Sequence, residues 1–159
     1  MKVENIHTRI INASAAVVSP IFETLGSHDD NIWPGDQWPR MKLTNGLKVG
    51  SEGGHGPIKY EVIDYNTGAF VKFKFRKPSG FNGHHEFLLE ELSPTSSRMT
   101  HKIIMKTTFL GYLKWIVAIR WLHDALIEDA FDKVENSITH SFKSTRWSIY
   151  VRLLRKILG

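Results

Sequence analysis

The chain has 159 residues, 42% of them hydrophobic and 23% charged, which suits one globular domain with one sizeable core and excludes a disordered chain. It contains no cysteine, so a disulfide framework, thiolate zinc ligands and thiol catalysis are excluded together. The net charge of +5 resides beyond Glu135, which leaves the body neutral and argues against a nucleic-acid-binding domain.

The opening "MKVENIHTRI" lacks the apolar core of a signal peptide, and a cytoplasmic protein is the default expectation. "VENIHTRII" places Ile6, Thr8 and Ile10 on one side at period two and predicts a strand. "AAVVSPIFETLG" has helical spacing at Val18, Phe22 and Leu25, with Ser14 as cap and Gly26 as stop. Pro20 is awkward there: either the helix kinks, or Ser19 caps a shorter helix with Pro20 at its first position. "SHDDNIW" allows a second short helical turn, which Pro34, Gly35 and Pro39 end.

From residue 41 the texture is strands and turns. Asn45-Gly46 within "MKLTNGLKVG" is a hairpin signal. "GSEGGHGP" has the glycines of a phosphate loop but no following helix or Lys-Ser/Thr pair, so it reads as a loop or bulge, with any role at a cavity mouth. "PIKYEVIDY", "AFVKFKFRK", "HHEFLLEEL" and "RMTHKIIMKTT" are strands separated by "NTG", "PSGFNG" and "SPTSS". Val71, Phe73 and Phe75 share one face of their strand, and Lys72, Lys74 and Arg76 the other, so the sheet is wet on one side and apolar on the opposite side. A long helix follows, roughly from residue 111 to residue 142. It is too short of uninterrupted apolar residues to span a bilayer.

This order of elements resembles the START-like superfamily, also called SRPBCC, which includes birch-pollen-allergen-like proteins and polyketide cyclases. The stretches that look most like bacterial members are "IWPGDQWPRMKL", "GGHGPIKYEV", "FKFRKPSGFNGHHEF" and "LHDALIEDAFD". The resemblance covers residues 1–143 and implies an α+β helix-grip fold: a curved antiparallel sheet wrapped around a long terminal helix, two short helices after the first strand, and a cavity between sheet and helix. It implies a habit of binding apolar or amphipathic small molecules, with cyclisation or dehydration in some members, and it supplies no single catalytic motif. Residues 144–159 lie outside the common pattern as a basic amphipathic helix.

On a helical wheel Ile116, Ile127, Ala130, Phe131, Val134 and Ile138 define one apolar arc, with His123 near its middle and Arg120 towards one edge. Glu128, Asp129, Asp132 and Glu135 fall on the other half, with Asp124 at the border. Those acids read as a solvated face, with Asp129 and Lys133 as a favourable i,i+4 pair. His123 and Glu128 stand about 140° apart, too far to share a metal. Arg120 needs a partner if buried, and either pairs with Asp124 or a sheet acid, or holds the polar end of a ligand together with His123. By strand parity His85 and Phe87, and His101 with Met99 and Ile103, point inward as well. Each histidine is either a satisfied core residue or a ligand contact.

The expected ligand-binding residues are therefore Tyr60, Phe73, Phe75, His85, Phe87, His101, Ile116, Arg120 and His123. His101 and His123 are the candidates for acid–base catalysis if a reaction occurs. No cofactor and no metal are expected, because the His-Glu zincin spacing and cysteine are both absent. Finally, Leu110, Trp115, Val117, Ala118, Trp121 and Leu122 extend the apolar character around the long helix, which requires a cover. The tail gathers Trp147, Tyr150 and Leu154 on one side and Arg152, Arg155 and Lys156 on the other, a composition for an anionic membrane surface, for packing on its own domain, or for a homodimer. Three functions compete: a carrier of a hydrophobic small molecule, a cyclase or dehydratase, and a module that docks a partner through its tail.

Overall fold

The computed structural model describes residues 1–158. In chain order it comprises β1 (Lys2–Ile11), α1 (Ala15–Phe22), β2 (Lys42–Leu43), β3 (Glu52–His55), β4 (Ile58–Asn66), β5 (Phe70–Lys77), β6 (Phe81–Ser93) and β7 (Ser96–Thr107). Then come α2 (Phe109–Lys114), a π-helical turn (Trp115–Ile119), α3 (Arg120–Thr139) and α4 (Ile149–Leu158). All strand pairs are antiparallel, and one sheet runs β1-β7-β6-β5-β4-β3-β2, so β1 and β2 are its two edges.

The period-two patterns set which face is buried. Val71, Phe73 and Phe75 of β5, His85, Phe87 and Leu89 of β6, and Met99, His101, Ile103 and Met105 of β7 all point to the inner face. α3 lies against that face through Leu126, Ile127, Ala130, Phe131 and Val134, and α1 adds Val18 and Phe22 to the same core. Each of the Val, Leu, Ile, Phe and Met side chains among them contributes roughly 1.5–3 kcal/mol by leaving water.

Four sequence expectations change. α1 runs through Pro20 and is the one helix before β2. The segment after it is held by turns, because the Asp30 carboxylate accepts the N–H groups of Gly26, Ile32 and Trp33 and so satisfies backbone donors without a helix. β2 and β3 do not meet at a tight Asn45-Gly46 hairpin; residues 44–51 form a longer loop between them. The glycine-rich stretch is strand β3, where a Cβ on Gly54 would stand 2.1 Å from the Ile58 carbonyl oxygen, so only glycine allows the pairing.

The long helix is not of one period. At the π turn the Arg120 N–H bonds to the Trp115 carbonyl, and the extra residue in that turn rotates everything before it relative to α3. A uniform wheel therefore fails at residues 115–121: Trp115 is buried, while Ile116, Val117, Arg120 and Trp121 face out. No helix is long and apolar enough to cross a membrane among the described residues.

Candidate functional site

Between the sheet and α3 lies a row of rings. From the β3–β4 edge inward, the Tyr60 hydroxyl sits 3.2 Å from His55 Nδ1, and the Tyr60 ring stands 4.8 Å from that of His85. His85 stacks on Phe73 and Phe75, with ring centroids at 4.8 and 5.1 Å. His85 Nδ1 and His101 Nε2 are 3.3 Å apart, one donating to the other. His101 is edge-on to Phe87 and stands 4.9 Å from His123, which is flanked by Trp115 and then by His7 of β1 at 5.7 Å. Register explains the alignment, since His7 is directly opposite His101 on β7, and His101 opposite Phe87 on β6.

The row is dry at its centre. His85 and His101 are 4% and 2% exposed, and burial holds both well below the ordinary imidazole value, with the neighbouring histidines adding to the effect. Burial takes His55 down to about 3. It lowers His123 as well, although the Asp124 carboxylate pulls the other way. Tyr60 is pushed above the usual phenol value by the same loss of water. His85 Nε2, His101 Nδ1 and both ring nitrogens of His123 are buried without a hydrogen-bond partner among the described residues.

The outer end of the row is ionic. Asn5, His7 and Arg9 of β1 face α3, while Ile6 and Ile10 are exposed on the other side. His7 Nε2 lies 3.0 Å from Asp124 Oδ1, and its Nδ1 3.2 Å from Glu128 Oε1. Arg9 donates to Glu128 at 2.7 Å, to Asp132 at 3.0 Å and to Glu135. Burial alone would lower His7; its hydrogen bonds to the Asp124 and Glu128 carboxylates outweigh it and raise the group above its ordinary value. Asp124 is likewise penalised by burial, yet the nearby His123 imidazole and its hydrogen bonds with His7 and Asn5 hold it below the usual carboxylate range.

Open space lies to the sides of this interior. One groove of about 620 Å³ follows the β2–β4 edge, lined by Arg40, Lys42, Lys59 and Arg76 with Glu52, Leu43 and Gly54, and Tyr60 forms its inner wall. A second, of about 340 Å³, lies between the 27–41 segment and α3, among Asp30, Trp33, Asp129, Asp132 and Lys133.

No protein-family model and no curated protein sequence matches the chain. Solved structures do. Truncated norcoclaurine synthase from Thalictrum flavum superposes with a TM-score of 0.65 at 12% identity, over 89% of this chain and 96% of that one. CalU16 from Micromonospora echinospora gives 0.62 at 12% identity, over 97% and 82%, and XoxI from Bacillus cereus 0.62 at 13%, over 86% and 96%. The fold is the helix-grip.

Within this helix-grip, Tyr60, Phe73, Phe75, His85, Phe87 and His101 line the interior by strand parity and His123 by its place on α3, and they form one contiguous set. Ile116 and Arg120 do not join them. Ile116 is 39% exposed, and the Arg120 side chain is 54% exposed, 3.6 Å from Asp124, because the π turn rotates them outward. The acids of α3 are not a wet face either. Asp129 and Asp132 are buried, the first by the indoles of Trp38 and Trp147, which both donate to its Oδ2, and the second by Arg9. Lys133 ignores Asp129 and donates to the Asp30 and Trp33 carbonyls.

The tail helix is divided in the same way. Val151 and Leu154 are buried, Trp147 packs on the main core, and the Arg155 guanidinium lies 4.3 and 4.1 Å from the ring centres of Trp38 and Trp147. These residues grip their own domain and are not a free surface. Tyr150, Arg152 and Lys156 remain exposed. His7 and Arg9 were missed in the sequence because Ile6, Thr8 and Ile10 made the opposite face of β1 look like the inner one. The usable signal was the surplus of acids on one side of α3, which those odd-numbered residues help to neutralise.

Proposed function

We propose that the protein binds a small amphipathic molecule with an anionic group in the groove along the β2–β4 edge, its apolar part against Leu43 and Tyr60. The observation that carries this reading is the groove's lining: four cationic side chains against a single carboxylate, with a buried aromatic wall, in a volume suited to a small ligand. Arg76 is already engaged by Glu61, which leaves Arg40, Lys42 and Lys59 for the ligand. The fold's habit of accommodating small molecules supports the reading, but the ligand sits at the edge, because rings fill the space between sheet and α3. A catalytic role for His101 or His123 is the weaker alternative, as both are enclosed by aromatic neighbours away from the groove. Calorimetric titration with decanoate and with decanol tests the proposal. Decanoate should bind saturably, and decanol and the Arg40→Gln/Lys59→Gln variant should each lose roughly tenfold or more, the worth of charge-assisted hydrogen bonds. Equal binding of the two probes would refute it.

We also propose contact with an anionic membrane surface. Phe109, Leu110, Leu113 and Val117 are exposed, and Tyr150, whose hydroxyl donates to the Val117 carbonyl, joins them to exposed Leu153 and Ile157 of α4. Lys114, Arg152 and Lys156 stand among them, each worth about 1 kcal/mol near anionic lipid. Sedimentation with vesicles should recover more protein as phosphatidylglycerol replaces phosphatidylcholine, and Leu153→Glu/Ile157→Glu should abolish recovery. Recovery independent of lipid charge, or a dimer that buries this face in light scattering, rejects the membrane reading.

A further inference from the structure

At the ionic end of the ring row, three donor groups from two elements converge: His7 of β1, and His123 and Asp124 of α3. One donor atom from each lies within 4.8 Å of the others. His7 Nε2 is 3.0 Å from Asp124 Oδ1, and His123 Nδ1 is 3.6 Å from the same oxygen. With bonds of about 2.0–2.1 Å, two donors on one ion stand roughly 2.9–3.5 Å apart for angles between right and tetrahedral. Two of the three edges are thus close to coordination geometry, and closing the third takes a ring rotation.

The hydrogen bonds around the trio set the donors. Glu128 Oε1 sits 3.2 Å from His7 Nδ1, and a carboxylate accepts, so Nδ1 carries the proton. The other nitrogen then aims its lone pair at the Asp124 oxygen, an arrangement that only a second proton or a cation relieves. An outer carboxylate that fixes a histidine ring is also the usual support of a metal-bound imidazole. Asn5 Nδ2 donates to Asp124 Oδ1 at 3.0 Å and steadies the third donor. His123 has no hydrogen bond on either nitrogen among the described residues. Asp124, Glu128, Asp132 and Glu135 face Arg9, Arg120 and Lys143, so with His7 neutral the neighbourhood keeps one negative charge in excess. The side chains of His7 and Asp124 are 14% and 30% exposed, which gives an ion and its waters access from that side, while the His123 nitrogens are buried behind them.

We propose that His7, His123 and Asp124 form a site for one borderline divalent transition ion of the zinc class, with Glu128 as the outer carboxylate that orients His7. Two imidazoles with one carboxylate favour such ions over Mg²⁺ or Ca²⁺, which prefer all-oxygen shells. This departs from the sequence reading, which expects no metal after weighing His123 against Glu128 across the helix and His84, His85 and His101 on the strands, and which does not include β1.

The test is titration of the chelator-stripped full chain with Co²⁺ at pH 7.5, followed by visible absorption and calorimetry. One equivalent should bind, be displaced by Zn²⁺ and ignore millimolar Mg²⁺. His7→Gln and Asp124→Asn should each weaken binding tenfold or more, and Glu128→Gln about tenfold with stoichiometry kept. Histidine ring spectra of the unaltered protein make the result independent of how the variants fold: paramagnetic Co²⁺ should broaden His7 and His123 first. Absence of saturable binding overturns the proposal, and so does broadening confined to the exposed His28 and His140. A doubly protonated His7 whose signals ignore Co²⁺ overturns it equally, and leaves a plain ion pair with Asp124 and Glu128.

Discussion

Acidification from pH 7.5 to 5.5, in the presence of chelator, should destabilise this protein far more than its composition suggests. In the unfolded chain each imidazole titrates near 6.5. In the folded chain burial depresses His55, His85, His101 and His123, so each contributes stability that is present above about 6.5 and is lost as pH falls. One unit below the unfolded value, a group kept neutral by the fold costs about 1.4 kcal/mol, so His55, His85 and His101 together cost about 4 kcal/mol, and His123 acts in the same direction. His7 has the opposite sign: its folded value is raised, so its stabilisation is fully present below 6.5 and is lost as pH rises, which offsets part of the loss on acidification. A loss of this order is a large part of an ordinary domain's 5–15 kcal/mol. Urea denaturation followed by tryptophan fluorescence at the two pH values measures it directly. His101→Phe should recover about 1.4 kcal/mol of the difference, since one titrating group is removed. Coincident midpoints at pH 7.5 and 5.5 would show that water reaches these rings and would refute the dry-row description.

Other perturbations probe the remaining parts. Arg9→Met should cost about 3–5 kcal/mol in the same assay, because Asp132 is left buried without its cation. A loss below about 1 kcal/mol would place that carboxylate in water. Arg155→Ala should lower stability by about 1–2 kcal/mol through the lost stacking on Trp38 and Trp147 and should red-shift their emission; an unchanged spectrum would detach the tail from the core. Phe131→Ala should cost about 3–5 kcal/mol by opening a hole in the main core. Gly54→Ala forces a Cβ onto the Ile58 carbonyl, so amide exchange along β3 should accelerate while β6 and β7 keep their protection.

The fold was legible because strand parity in β5, β6 and β7 leaves no second choice of face: shifting Phe73 outward would bury Lys72 and Lys74. The inward positions of Tyr60, His85 and His101 follow from the same rule, and that of His123 from helical spacing within α3. What parity could not supply was the identity of the inner face in β1, where Val3 and Ile11 alternate with His7 and Arg9 and both sides carry aliphatic residues. Nor could a wheel of constant period foresee the turn at Trp115–Ile119, and Ile116 and Arg120 were misplaced as a result. Asp129 and Asp132 looked exposed for a related reason. The indoles of Trp38 and Trp147 and the guanidinium of Arg9 come from distant parts of the chain, and no local pattern announces that they will meet.

The widened turn also decides where the rod ahead of α3 can look. Removing one residue between 115 and 119 would restore a regular spiral and swing the preceding segment by about 100°. Trp115 would then leave its seat beside Phe81 and surface, and the greasy stripe of Phe109, Leu110 and Leu113 would turn with it. A single inserted peptide unit thus lets one continuous rod close the end of the barrel-like wrap and still present an oily flank in another direction.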